Sequence, residues 1–113
     1  MRLPNADRAI VSEAKVRDYL LSSEHPVGRF KARVFYAAGY RRDTWHALRD
    51  HLRALAATID VTPSPSDAHD QRYVGTGALP GVDAEPLPIV TVWLIPSESA
   101  PPRLITAYPD HAP

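Results

Sequence analysis

The chain has no cysteine, which excludes a disulfide scaffold, a thiolate zinc site and a cysteine nucleophile. Long apolar runs are also missing; none approaches the roughly 18–20 residues of a membrane-spanning helix. The opening Met1-Arg2-Leu3-Pro4-Asn5-Ala6-Asp7-Arg8 lacks the charged-then-apolar profile of a signal peptide, so a cytoplasmic location is expected, although a piece of a larger secreted protein would look the same. Proline is scarce in the first half: only Pro4 and Pro26 precede residue 60, and ten others follow. Helix interiors exclude proline, so helices belong to the first half and strands and turns to the second. Neither sign of charge is in excess, with 13 Lys and Arg against 13 Asp and Glu. That balance hides a split. Residues 1–58 carry eleven basic groups against six acids, a net of +5, and residues 59–113 carry a net of −5. Either a basic face meets an anion, or two oppositely charged halves attract each other.

What is present is ordinary globular composition. A chain of 113 residues with 44% hydrophobic content has the size and apolar fraction of one domain. One domain over 1–113 is expected, with 110–113 as a flexible tail.

Ser12 can cap a short helix over about residues 13–21, with Val16, Tyr19 and Leu20 on its buried face. Pro26 suits the first position of a second helix reaching about Ala38. Gly39 suits the left-handed residue that closes it. Phe30, Val34, Phe35 and Ala38 form its apolar stripe. Asp43 or Thr44 can cap a third helix, in which Trp45, Leu48, Leu52, Leu55 and Ile59 recur at alternating spacings of three and four. The stretch 62–68, rich in Pro and Ser, reads as a mobile loop. Three strands follow: Gln71–Leu79, with a bulge expected at Gly75 and Gly77; Pro88–Ile95; and Arg103–Tyr108. Short connections suit an antiparallel meander. The fold class is α+β: N-terminal helices packed on one face of a small antiparallel sheet of three or four strands.

Few features carry chemistry. Gly75-Thr76-Gly77 is no phosphate loop, because no helix and no Lys-Ser/Thr pair follow. His46 and Asp50 share a helix face, but His51 points elsewhere, so a metal site is not expected. His69 and His111 fall in a loop and a tail. Two segments stand out. The first, Glu24-His25-Pro26-Val27-Gly28-Arg29-Phe30-Lys31-Ala32-Arg33, puts a histidine at a helix start followed by three cations. A helix N-terminus with nearby cations suits a phosphate. A capping histidine with solvated cations gives the same pattern. The second is Pro102-Arg103-Leu104-Ile105-Thr106-Ala107-Tyr108-Pro109. Strict alternation points Leu104, Thr106 and Tyr108 one way and Arg103, Ile105 and Ala107 the other. Thr106 and Tyr108 can bind a phosphate or form an ordinary strand-edge pair.

These two segments, with Leu3-Pro4-Asn5-Ala6, Lys15-x-x-x-Tyr19-Leu20-Leu21 and the central Thr91-Val92-Trp93, resemble an uncharacterised bacterial domain family. That family occurs as small stand-alone proteins and as the tails of large secreted toxins. The resemblance spans residues 3–109, and Asp70 stands where the family has a glycine. More distantly, helices followed by an antiparallel sheet ending in Thr-x-Tyr-Pro look like the barnase–EndoU–colicin–RelE group of ribonucleases. That likeness implies RNA cleavage without metal or other cofactor, by attack of the ribose 2′-hydroxyl on the adjacent phosphorus. It implies His25 as general base or acid, Lys31 and Arg29 as charge stabilisers, Thr106 as a donor to a phosphate oxygen and Tyr108 as a phosphate or base contact. Arg33 and Arg103 are further phosphate-binding candidates. The implied partners are RNA, possibly tRNA, and a cognate immunity protein. A non-catalytic interaction module and an immunity-type partner of a toxin remain open.

Overall fold

A computed structural model of the chain describes residues 1–26, 28–65 and 70–110, apart from the side chains of residues 28 and 30. The expectations for the Phe30 side chain, for His69 and His111 and for the last three residues of the tail lie outside the described residues.

Apolar residues at helical spacing become helices where a cap or a glycine bounds them. The Ser12 hydroxyl accepts the Lys15 N–H at 3.1 Å and starts α1, Glu13–Lys15. The helix then widens into a π-helical turn, Val16–Leu20, in which the Leu21 N–H reaches back five residues to the Val16 carbonyl. Val16, Leu20 and Leu21 are fully buried. Helix α2, Gly28–Ala37, begins later than Pro26, although the Arg29 N–H already bonds the His25 carbonyl at 3.1 Å. Gly39 closes it at φ 97°, and the Tyr40 N–H returns to the Phe35 carbonyl, as in a Schellman turn. Helix α3, Trp45–Ala56, buries Leu48 and Leu52 on the stripe expected of it. Thr44 precedes it without capping; its hydroxyl bonds the Arg41 carbonyl instead.

The second half forms β1 (Asp60–Ser64), β2 (Gln71–Leu79), β3 (Leu87–Ile95) and β4 (Arg103–Pro109), antiparallel and in chain order across one sheet. The fold is therefore α+β, with three helices packed with a four-stranded antiparallel sheet. Part of the expected loop at 62–68 is instead the end of β1. Pro63 is accommodated because β1 is an edge strand and needs no donor on its outer side.

Two further expectations for the strands are corrected. First, β2 pairs with β3 without a break from Gln71 to Leu79, so Gly75 and Gly77 are not a bulge. They are glycine because α3 and the residues after it sit directly on them. A Cβ at Gly77 would lie 2.8 Å from Leu55 Cδ1, and one at Gly75 would lie 2.8 Å from the Asp60 carbonyl oxygen. Second, the bulge lies in β4. Val92 pairs with Thr106 and Trp93 with Leu104, leaving Ile105 as the extra residue.

The core lies between helices and sheet. Trp93 is completely buried there; its indole N–H donates to the Thr91 hydroxyl at 2.9 Å, and that hydroxyl donates to the Gly75 carbonyl at 3.2 Å. The N-terminal segment serves both sheet edges. The Val61 N–H bonds the Met1 carbonyl beside β1, and the Leu104 N–H bonds the Ile10 carbonyl beside β4. This segment leads the chain into α1 alongside β4, where the candidate site forms.

Candidate functional site

The π-helical turn presents Tyr19 only partly buried, between α2 and β4. Three residues from different parts of the chain meet it. Lys31 of α2 donates its ammonium proton to the Tyr19 phenol oxygen and also lies 4.7 Å from the ring centroid. The Thr106 hydroxyl of β4 is 3.3 Å from the same oxygen, and either hydroxyl can donate. The His25 ring stands edge-on to the Tyr19 ring, with centroids 4.9 Å apart and planes at 89°. A second cation, Lys15, sits one helical turn before Tyr19 with its ammonium 4.8 Å from the ring centre.

Each partner is held by its own element. The Ser22 hydroxyl accepts the backbone N–H groups of Glu24 and His25, at 3.2 and 3.1 Å, and sets the turn that carries the imidazole. Asp18 receives hydrogen bonds from Arg17 at 3.0 Å and from Arg42 at 2.9 Å, tying the π-turn to the segment before α3. The Arg17 guanidinium, and then that of Arg42, hold the Asp18 carboxyl below the usual carboxylate range.

The bulge decides what β4 shows to this site. Arg103, Thr106 and Tyr108 pair with Leu94, Val92 and Val90, which alternate onto one sheet face. Arg103 therefore shares a face with Thr106, contrary to unbroken alternation. Leu104 and Ala107, three apart, both turn into the core. Tyr108 is 38% exposed, two residues beyond Thr106 on the same face.

Electrostatics favours an acidic phenol at Tyr19. Partial burial pushes its pKa up, but the hydrogen bonds with Lys31 and Thr106 and the charges of Lys31 and Lys15 outweigh burial, so the net shift is downward. The arrangement places an imidazole, two ammonium groups and a hydroxyl around a phenol eased toward ionisation. Such a set can move protons and stabilise negative charge.

Of the residues singled out from sequence, His25, Lys31 and Thr106 meet at Tyr19. Arg103 and Tyr108 share the sheet face of Thr106. Arg29 and Arg33 do not join them; they line an open hollow of about 310 Å³ on another side of α2, with Ser23 and Tyr36. Sequence reasoning assigned Tyr19 to the core and, though Lys15 and Tyr19 belong to the family motif, gave neither a role in the site. The signal was the pair itself: Lys15 and Tyr19 are four residues apart on one helix, where side chains meet. Among the described residues no three His, Asp or Glu side chains gather where they could hold a metal ion. No helix among them is long and apolar enough to cross a membrane.

The family model described as "Domain of unknown function (DUF6883)" matches residues 2–111. The chain belongs to this family. The DUF6883 match takes in every residue of the Tyr19 cluster, from Lys15 to Thr106, as well as Tyr108. Neither the comparison with curated proteins nor that with solved structures gives a match.

Proposed function

We propose that the chain is a ribonuclease that cleaves RNA by attack of a ribose 2′-hydroxyl on the adjacent phosphorus. The observation that carries this reading is the meeting of His25 and Lys31 with Thr106, from a distant segment, at Tyr19. In the reaction a bond forms from the 2′-oxygen to phosphorus and the bond to the 5′-oxygen breaks. The 2′-proton passes to a base, and the leaving oxygen takes a proton from an acid, leaving a 2′,3′-cyclic phosphate. An imidazole suits proton exchange near neutral pH. His25 takes one of the two proton-transfer roles. Tyr19, held by Lys31 and with its pKa lowered, can serve as the other or as a donor to the phosphate. Lys31 and Lys15 stabilise the charge on the phosphorane, and Thr106 donates to a non-bridging oxygen. Tyr108 stacks on a base and Arg103 adds positive charge along the same face. The substrate is RNA, with tRNA one candidate, and a protein inhibitor is the natural partner of such an activity in a toxin.

The test is purified protein on total RNA in EDTA. Cleavage persists, the products carry cyclic-phosphate ends, and His25→Ala and Lys31→Ala each lower the rate by at least ~100-fold. Intact RNA with correctly folded protein overturns the reading.

One observation favours a second reading, a non-catalytic interaction module or an immunity-type partner of a toxin. On the outer sheet face Val74, Val92 and Leu94 are only half-buried. A module of that kind forms a stable complex with a protein partner, and the complex survives His25→Ala. An immunity-type protein also rescues cells from a toxic partner.

A further inference from the structure

We propose that the outer stripe of α2 and the turn after it form a second anion-binding track, which holds phosphates of single-stranded RNA flanking the Tyr19 site. The inference rests on the ribonuclease reading and adds the path of the substrate. Arg29, Arg33 and Tyr36 fall at i, i+4 and i+7, on one helical stripe that excludes Lys31. The first hollow on this stripe is lined by Ser23, Arg29, Arg33 and Tyr36, and among the described residues no carboxylate lines it. The next hollow, about 570 Å³, shares Tyr36 and adds Arg41, Arg42 and Asp43.

Tyr36 divides the two hollows and is fixed, because its phenol donates to the Leu21 carbonyl. Arg41 lies against the Tyr36 ring, 5.7 Å from its centroid, and donates to the carbonyls of Tyr36 and Tyr40 at 2.8 Å. These contacts orient its guanidinium without cancelling its charge. Arg17 and Arg42 are neutralised by Glu13 and Asp18, whereas among the described residues neither Arg33 nor Arg41 forms a salt bridge. Unneutralised cations on either side of a fixed aromatic ring form a surface suited to a sequence-tolerant nucleic-acid strand. The track also adjoins the Tyr19 site. Ser23 lines its first hollow and His25 edges the Tyr19 ring, and two residues span at most about 7 Å.

The test uses the full chain carrying His25→Ala, to suppress cleavage, and a fluorescent oligoribonucleotide of roughly ten nucleotides, a length within the range of single-strand sites. Binding is followed by anisotropy across a salt series. Adding Arg33→Gln and Arg41→Gln weakens binding about 10-fold or more and flattens the slope of log K against log salt by about 1.4, as expected for two lost phosphate contacts to a single strand. Arg33→Lys in place of Arg33→Gln, with Arg41→Gln kept, restores about half of that slope. Unchanged affinity and slope in a folded double variant overturn the track, as does failure of the oligonucleotide to bind at all. The two proposals fail separately. If the double variant shows the stated loss of affinity and slope but wild-type protein leaves RNA intact, the ribonuclease reading is lost and the track is kept. Protein that cleaves RNA while the double variant binds unchanged loses only the track.

Discussion

Tyr19 shows how a side chain can read as core in sequence and act as a hub in the fold. Helical periodicity places it beside Val16 and Leu20, which are indeed buried. Its phenol, however, extends past them to Lys31 and Thr106. No local pattern announces that, because the two partners come from α2 and β4. The downward shift of its phenol gives a direct check. The Tyr19 phenolate absorbance, isolated by subtracting a Tyr19→Phe variant, rises at lower pH than that of an ordinary tyrosine, and Lys31→Met moves it upward. An unmoved titration in Lys31→Met contradicts the electrostatic account.

Tyr40 makes the contrasting case. It is 1% exposed, and burial pushes its phenol from 10.0 to about 12. Its hydroxyl donates to the Pro80 carbonyl, and its one proton is then used. His51 therefore carries a proton on Nδ1 and donates it to the Tyr40 oxygen, 2.6 Å away. Tyr40→Phe removes both hydrogen bonds and costs about 1–3 kcal/mol in denaturant unfolding. The pH dependence follows from the sign of the shift. With the folded pKa above the unfolded one, the unfolded chain releases its proton first. The Tyr40 contribution is complete below about pH 10 and lost as pH rises toward about 12. Urea melts across that range show the loss in wild type and not in Tyr40→Phe. Equal slopes in the two proteins contradict it.

At the scale of elements, the periodic helices were legible and the local irregularities were not. Helix α3 followed from the repeat of Leu48 and Leu52 because one amphipathic face needs no knowledge of its partner. The bulge at Ile105 could not be read, since it exists only as a mismatch with Val92 and Trp93 across the ladder. For the same reason alternation misplaced Arg103. Gly75 and Gly77 were recognised as unusual but assigned the wrong cause, because the choice between a bulge and a close approach depends on where α3 lies. Strand β1 was hidden by Pro63, which an edge position tolerates. Gly39 was read correctly, since a left-handed helix end is a local requirement. A Cβ there would also lie 2.1 Å from the Val82 carbonyl oxygen, in the β2–β3 connection. Gly39→Ala thus combines positive φ with a backbone clash and is expected to cost more than about 2 kcal/mol. A melting temperature equal to wild type contradicts that packing.

At the scale of the whole molecule, the uneven charge allowed two readings, attraction between halves or a basic face for an anion. Among the described residues the ion pairs are Arg17 with Glu13 and Asp18, Arg42 with Asp18, and Arg49 with Asp50. Each of these pairs joins two residues of the first half. On the proposed reading, the cations at Tyr19 and along α2 are where an RNA strand binds. The most direct measurement compares two oligonucleotides of one sequence, one all-ribose and one with every 2′-hydroxyl replaced by hydrogen, each incubated with the protein in EDTA. The account predicts that the first is cut to fragments ending in 2′,3′-cyclic phosphate, that the second stays whole, and that Tyr19→Phe slows the first reaction. Cutting of both strands, or of neither by folded protein, contradicts it.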